Sequence, residues 1–403
     1  MKILVVSQYF WPENFRINDL SVALKERGHE ITIFTGQPNY PSGELFEEYK
    51  KDPASFSYFH DMPIIRTPIY TRKKGSINLL LNYLSFVLSG SLYGPLKLRG
   101  EEFDVILVCQ LSPVTAAIPA ISFKYAKSIP IVMWSLDLWP ESLEAVGMIK
   151  SKKALNIVGN LVSWIYKHCD VILGQSESYL DAVRRRSGAN TKLELFPNWA
   201  EDQFNIFCEK NQEVPMLTIL FAGNIGDAQD FESIVECAKI LKENKVNVVF
   251  SIVGNGRKFN WLESEIKKNQ LDDLFVLHGQ HPLERMPDFY SKADLALVSL
   301  KPDDIFERTI PGKIQSYMLS SLPILAMLDG EGAKLINNAN CGLTCSASDA
   351  NSLYQKIKII SEMSLVERNT LGSNGKRYAD LFFSKEKLVT RLETILNDVL
   401  KVN

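Results

Sequence analysis

A series of glycine-bearing turns in the second half of the chain, each following an apolar run, constrains the fold more than any other feature. The first is Phe221-Ala-Gly-Asn-Ile-Gly-Asp-Ala-Gln229. It separates the strand-like run 216–220 from a segment in which Phe231, Ile234, Val235, Ala238 and Leu241 recur at helical spacing, with Asp230 placed to cap the helix start. Val253-Gly-Asn-Gly256 follows a second strand pattern, His278-Gly279 a third, and Ile310-Pro-Gly-Lys-Ile314 opens a helix after a fourth. A glycine turn between strand and helix exposes backbone N–H groups beside the positive end of the helix dipole. That geometry suits a phosphate or diphosphate.

The strand–helix alternation runs through the whole chain. The first half offers strands near 3–6, 30–35, 64–69, 104–109, 131–134, 171–173 and 193–196. The second half offers 217–221, 246–253, 275–278, 295–300 and 324–327, with helices near 231–243, 259–269, 283–291 and 313–320 and two more at 365–381 and 385–400. Repeated units of this kind predict parallel sheets covered on both faces. The polar stretch Pro197-Asn-Trp-Ala-Glu-Asp-Gln203 and Gln212-Glu-Val-Pro215 mark a boundary. The expected organisation is an α/β protein of two doubly wound domains facing a cleft: 1–199, 200–384, and a terminal helix 385–403 packing back toward the first. Ligands sit at the carboxyl ends of strands in such sheets, which is where the glycine turns fall.

Composition sets the class. With 403 residues, 46% hydrophobic and 23% charged, the chain is globular and long enough for two domains. A net charge of −2 gives the whole molecule no attraction to nucleic acid. Six cysteines without a paired metal-ligand spacing read as reduced thiols of a cytosolic protein. The apolar run 77–96 is interrupted by Asn78, Asn82, serines and glycines, which argues against a bilayer span. Arg72-Lys-Lys74 precedes it, a pattern that suits a peripheral helix on an anionic membrane surface as well as a solvated helix packed on the sheet.

Taken together, the glycine turns, Pro311-Gly-Lys-Ile-Gln-Ser-Tyr-Met-Leu-Ser-Ser-Leu-Pro-Ile-Leu325, Gln8-Tyr-Phe-Trp-Pro-Glu13, Glu26-Arg-Gly-His-Glu-Ile-Thr32 and Asp137-Leu-Trp-Pro-Glu-Ser142 resemble the GT-B glycosyltransferases of family 4. The similarity covers nearly the whole chain in order. Within the family it is strongest to bacterial L-fucosamine (L-FucNAc) transferases of O-antigen and capsule assembly.

The resemblance implies a UDP-sugar donor held by the C-terminal domain, with no other cofactor. Gly223, Asn224 and Gly226 would let the backbone approach the diphosphate, Gly254 and Gly256 would leave room for the nucleotide, and Lys313, after Gly312, would supply charge as an exposed cation, helped by Arg257 or Arg308. His281 and Leu283 lie in the loop that meets the base. The family's first glycine loop commonly carries Arg and Lys where this chain has Asn224 and Gln229. The second Glu of its E-x7-E motif corresponds to Ser316, and the first to Arg308 beside Glu307. No Asp-x-Asp motif calls for a metal, and the family retains configuration at the transferred carbon.

On the acceptor side, Glu13, Asn14, Arg16 and Asp19 follow the first strand, and Asp137 and Glu141 follow the strand near 131–134. A carboxylate there can orient or deprotonate a hydroxyl, or can simply cap the next helix. Asp137 is the candidate base. The expected acceptor is a GlcNAc-type saccharide on undecaprenyl diphosphate, met by a cytoplasmic protein peripheral to the inner face of the plasma membrane. A UDP-sugar 2-epimerase or a catalytically silent nucleotide-sugar-binding subunit would share this fold.

Overall fold

A computed structural model describes the chain except Lys74, Val146, Glu209 and Asn403, and gives only the backbone of Ser76 and Val402. It divides into two compact units: Met1–Phe196 with Leu388–Asn403, and Pro197–Lys387.

The first unit is built on an eight-stranded sheet. Its strands are β1 (Lys2–Val6), β2 (Glu30–Gly36), β3 (Tyr58–Phe59), β4 (Met62–Thr67), β5 (Val105–Gln110), β6 (Ile131–Ser135), β7 (Val171–Gly174) and β8 (Lys192–Leu195), in the order β3-β4-β2-β1-β5-β6-β7-β8. All pairings are parallel except the short β3–β4 ladder. The central strands β5 and β6 are buried along their whole length. That is why Val-Ile-Leu-Val-Cys and Ile-Val-Met-Trp are continuous apolar runs with no alternation. From β1 the chain steps first toward β2 and later toward β5, so the sheet's switch point lies between β1 and β5. The loops leaving these two strands form the crevice where such sheets place ligands.

The second unit carries β9 (Leu217–Ala222), β10 (Val248–Val253), β11 (Phe275–Gly279), β12 (Leu295–Ser299), β13 (Ile324–Met327) and β14 (Gly342–Cys345), all parallel, in the order β11-β10-β9-β12-β13-β14. Alternate residues of β9 serve opposite faces, as the strand period of two requires. Leu217, Ile219 and Phe221 join Phe231, Ile234 and Leu241 on one side. Leu220 and Ala222 join Ile314, Tyr317 and Met318 on the other. The switch point here lies between β9 and β12.

Most predicted elements lie where the sequence pattern puts them, with ends moved by a residue or two. The pattern missed β3 and β14, the helix Gly330–Ala339 and the helix Ala350–Glu362. The terminal helix Lys385–Val402 crosses from one unit to the other at Leu388. Within the first unit Glu393 accepts from Arg27 at 2.7 Å and faces His29 at 2.8 Å, and Arg391 reaches Glu194 at 3.2 Å. All six cysteines are free and buried.

Candidate functional site

In the second unit, the turns after β9, β10 and β11 lie side by side and are stitched through their backbones. Gly223 N–H donates to Val253 O at 2.9 Å, Gly254 N–H to Gly279 O at 2.8 Å, and Ile225 N–H to Asn255 O at 2.9 Å. Gly254 has φ +142°, and a Cβ there would stand 1.8 Å from the Gly223 carbonyl oxygen. Only glycine permits this approach. Across the switch point, Lys301 N–H donates to Ala228 O at 2.8 Å and Ser299 Oγ to Gln229 O at 2.6 Å. The first glycine loop is therefore held on both sides.

The helix Gly312–Leu319 points its N-terminus at this loop. Its N-cap is Pro311, with no side-chain cap, so the first N–H groups are left for a ligand. Tyr317 anchors the helix by accepting from Ala222 N–H at 2.9 Å. Lys313 occupies the second helical position. Its Nζ is buried without a hydrogen-bond partner, 3.7 Å from the centre of the Phe221 ring and 3.2 Å from where a Cβ of Gly223 would stand. Burial pushes this lysine down to about 7, because an ammonium removed from water with no counter-charge favours its neutral form. An anion placed over Gly223 would supply the missing counter-charge.

In the first unit, the loops at its switch point gather a different set of groups. Glu13 is buried and acts as a clasp: Oε1 accepts from Asn39 N–H at 2.8 Å and Tyr40 N–H at 2.7 Å, and Oε2 from Phe10 N–H at 3.1 Å. Burial raises its carboxyl to about 7 against the pull of these N–H groups and of Arg66. Tyr9 OH donates to Asn82 Oδ1 at 3.1 Å, and the Arg72 guanidinium lies 5.2 Å from the Tyr40 ring centre. Asp137 Oδ2 accepts from Trp139 Nε1 at 3.0 Å. Burial raises the Asp137 carboxyl, and nearby polar groups, the Trp139 indole N–H among them, oppose it. Tyr83 shares Ser112 with Asp137. Tyr9, Tyr83, Arg72 and Asp137 thus come from the carboxyl ends of β1, β4 and β6 and from one helix.

Comparison with known proteins decides the family. Residues 15–204 match the model described as Glycosyltransferase Family 4, and residues 217–362 match Glycosyl transferases group 1. The chain carries two glycosyltransferase domains. Its fold is GT-B: sucrose-phosphate synthase from Thermosynechococcus elongatus superposes with a TM-score of 0.75 at 15% identity, each chain covered completely. Anabaena Alr3699/HepE, solved with UDP and glucose, superposes at 0.67 with 16% identity over 98% of this chain and 99% of that one. The colanic acid biosynthesis glycosyl transferase WcaI of Escherichia coli (strain K12) is 25% identical over 79% of this chain and 81% of its own length.

In this glycosyltransferase the expected donor-side residues divide. Gly223, Asn224, Gly226, Gly254, Gly256, Gly312 and Lys313 are brought together. Lys313 is not the exposed cation expected. Gln229 turns inward: its Oε1 accepts from Gly226 N–H at 3.1 Å and faces Asn224 Nδ2 at 3.5 Å, so it shapes the loop. Ser316 is buried rather than presented to a ribose, donating to Lys313 O at 3.0 Å and sitting 3.2 Å from Tyr290 OH. A serine is too short to leave the helix surface there. Asp230 makes no cap to its helix and instead accepts from Ser233 and Ser348 hydroxyls. Arg257 is exposed, and Arg308 lies 4.0 Å from Asp304 on a short helix with Glu307. His281 packs on Phe289 at 4.9 Å, and Leu283 gives its carbonyl to Gln203 at 2.7 Å.

On the acceptor side, Glu13 is spent on the backbone and Glu141 on Arg186, at 2.6 Å. Asn14 is exposed and Arg16 half-buried. Asp137 keeps its place at the strand end. Arg72 lies against the Tyr40 ring. Lys74 lies outside the described residues. Tyr9, Asn82, Tyr83 and Arg72 went unrecognised as site residues because nothing in their spacing places the Ser76–Lys97 helix beside the β1 loop. Among the described residues no group of three His, Cys, Asp or Glu side chains could hold a metal ion.

Proposed function

We propose that this chain transfers an N-acetyl-6-deoxyhexosamine, L-FucNAc, from UDP to a GlcNAc-type saccharide on undecaprenyl diphosphate during O-antigen or capsule repeat-unit assembly. The observation that carries a diphosphate donor is the partnerless Lys313 ammonium at an uncapped helix N-terminus, beside the glycine loop. The diphosphate would complete that ion pair. Its charge would then be met by Lys313 and backbone N–H groups, without a metal. The uridine nucleotide is supported by the UDP in a structural relative, and polysaccharide assembly by the name of the Escherichia coli relative. The choice of sugar and lipid follows the motif resemblance, as does retention of configuration.

The donor belongs to the second unit and the acceptor to the first. Asp137, held by the Trp139 indole N–H, would receive or orient the acceptor hydroxyl. Its raised carboxyl makes it a stronger base than a solvated aspartate once ionised. As sugar leaves UDP, negative charge grows on the β-phosphate, and the fixed dipole and Lys313 stabilise it without reorganising. The protein would work in the cytoplasm at the inner face of the plasma membrane.

The test is incubation with labelled UDP-sugars, with and without lipid-linked GlcNAc. Acceptor-dependent transfer of label from UDP-L-FucNAc supports the proposal. Rearranged UDP-sugar without an acceptor would show an epimerase instead, and binding without turnover would show a silent subunit.

A further inference from the structure

We infer that the first unit docks on an anionic lipid bilayer through the outward face of three adjacent helices, Ser76–Lys97, Ile118–Lys127 and Lys152–Lys167. The first of these is long and apolar enough to cross a membrane, yet most of it is unburied. Leu80, Leu84, Leu88, Leu92 and Leu96 form one row at four-residue spacing. Leu88, Leu92 and Leu96 are 62%, 68% and 68% exposed. A contiguous apolar row of this length is unusual on a surface that stays in water.

The opposite side of the same helix is fixed. Gly90 and Gly94 bring it against Pro119 and Phe123 of the second helix, where a Cβ at Gly94 would come within 2.4 Å of the Phe123 ring. Phe86 is fully buried. A helix packed in this way is part of the layer covering the sheet, so its leucines can only meet a membrane lying flat. The third helix continues the surface. His168, just past its end, faces Tyr125 OH at 2.7 Å, and the exposed side chains of Tyr125, Ile157 and Trp164 add large apolar groups.

Charge selects the partner. The three helices contain no Asp or Glu and carry Lys97, Lys124, Lys127, Lys152, Lys153 and Lys167. Lys124 is paired with Asp170 at 2.6 Å. The chain as a whole has net charge −2, so this basic and apolar face is a local feature. Leucines that enter the acyl boundary, with lysines and a tryptophan beside them at headgroup level, fit an anionic leaflet. Of the cations expected at 72–74, the Arg72 guanidinium lies 5.2 Å from the Tyr40 ring centre and Lys73 Nζ 5.6 Å from the Tyr70 ring centre.

The inference rests on the lipid-linked acceptor only for its purpose, and its test uses no acceptor. The full chain is floated with vesicles of phosphatidylcholine alone or mixed equally with phosphatidylglycerol. Wild type should float with the mixed vesicles and not with phosphatidylcholine alone. Leu84→Glu with Leu88→Glu, and separately Lys152→Glu with Lys153→Glu, should each weaken flotation by about tenfold or more. The lysine pair reads the same surface should the leucine pair fail to fold.

Wild type staying in solution at low salt, or both variants floating like wild type, would overturn the inference. So would sedimentation showing a dimer that the leucine pair dissolves. Turnover on a water-soluble acceptor reads the proposed function separately. Flotation without turnover leaves the membrane surface standing, and turnover without flotation leaves the enzyme.

Discussion

Replacing Lys313 with Met should stabilise the ligand-free protein while destroying its grip on UDP. Met keeps the apolar stem and removes the ammonium. The lysine falls from 10.5 to about 7 on burial, which at about 1.36 kcal/mol per unit corresponds to a penalty of at most roughly 5 kcal/mol. At pH 7 about 4 kcal/mol of this is in force, and at about 2–4 °C per kcal/mol a domain of this size should melt roughly 8–16 °C higher. The sign sets the pH window. The unfolded chain keeps this proton up to 10.5 and the folded chain only to about 7. The penalty is therefore absent above the upper value, grows as pH falls, and is complete below the lower one. Thermal melts at pH 7 and pH 10, with and without UDP, measure it. The gain should be large at pH 7 and shrink to under about 1 kcal/mol at pH 10. UDP should raise the wild-type melting temperature and leave the variant's unmoved. A variant that melts below wild type at pH 7, or that still responds to UDP, would refute a strained ammonium kept for the diphosphate.

Other substitutions separate the parts of the account. Gly254→Ala places a Cβ 1.8 Å from the Gly223 carbonyl oxygen at φ +142°. It should cost about 1–3 kcal/mol and weaken UDP binding by about tenfold or more, as a melt and a UDP titration would show; unaltered UDP affinity would mean this loop does not meet the diphosphate. Asp137→Asn should lower transfer by about 10²-fold or more with UDP affinity unchanged, and equal transfer rates would remove Asp137 as the base. Glu13→Gln turns an amide NH₂ toward a backbone donor at Asn39, Tyr40 or Phe10. It should cost about 1–3 kcal/mol in urea unfolding, and full stability in the variant would count against the clasp. Because the Glu13 carboxyl lies near 7 in the fold against 4.5 unfolded, its contribution to wild-type stability should increase as pH falls between those values.

The order of elements was legible because local signals carry it. Continuous runs such as Val105–Cys109, β-branched and bounded by Asp104 and Gln110, read as strands buried on both faces, and in the second unit the glycine turns mark where strands end. Short elements escaped: Gly342–Cys345 is too brief to show a period, and Tyr58–Phe59 exists only by pairing with Met62–Pro63. The clustering of the glycine turns was legible for the same reason, since Gly223 and Gly254 serve their own backbone. Side-chain roles were less so. Lys313, at a helix start, reads as solvated, and only the approach of Phe221 and Gly223 from another strand buries it. Glu13 reads as a cleft carboxylate until the 39–40 backbone folds over it. Ser316 and Gln229 read as ligand-facing from the motif resemblance. Here their hydroxyl and amide close on the protein itself. The leucine row of the Ser76–Lys97 helix is visible in the sequence, but which face the sheet takes is decided by Gly90 and Gly94 against a helix more than twenty residues away.

The central claim is that the second unit holds a nucleoside diphosphate through its glycine loops and a buried lysine waiting for that charge. Calorimetric titration of UDP at pH 8, in two buffers of different ionisation enthalpy, tests it most directly. A lysine near 7 when free and restored to its ordinary range by the diphosphate should draw in about nine-tenths of a proton on binding, and Lys313→Met should abolish that uptake. UDP bound without proton uptake, or with the same uptake in the Met variant, would contradict the account.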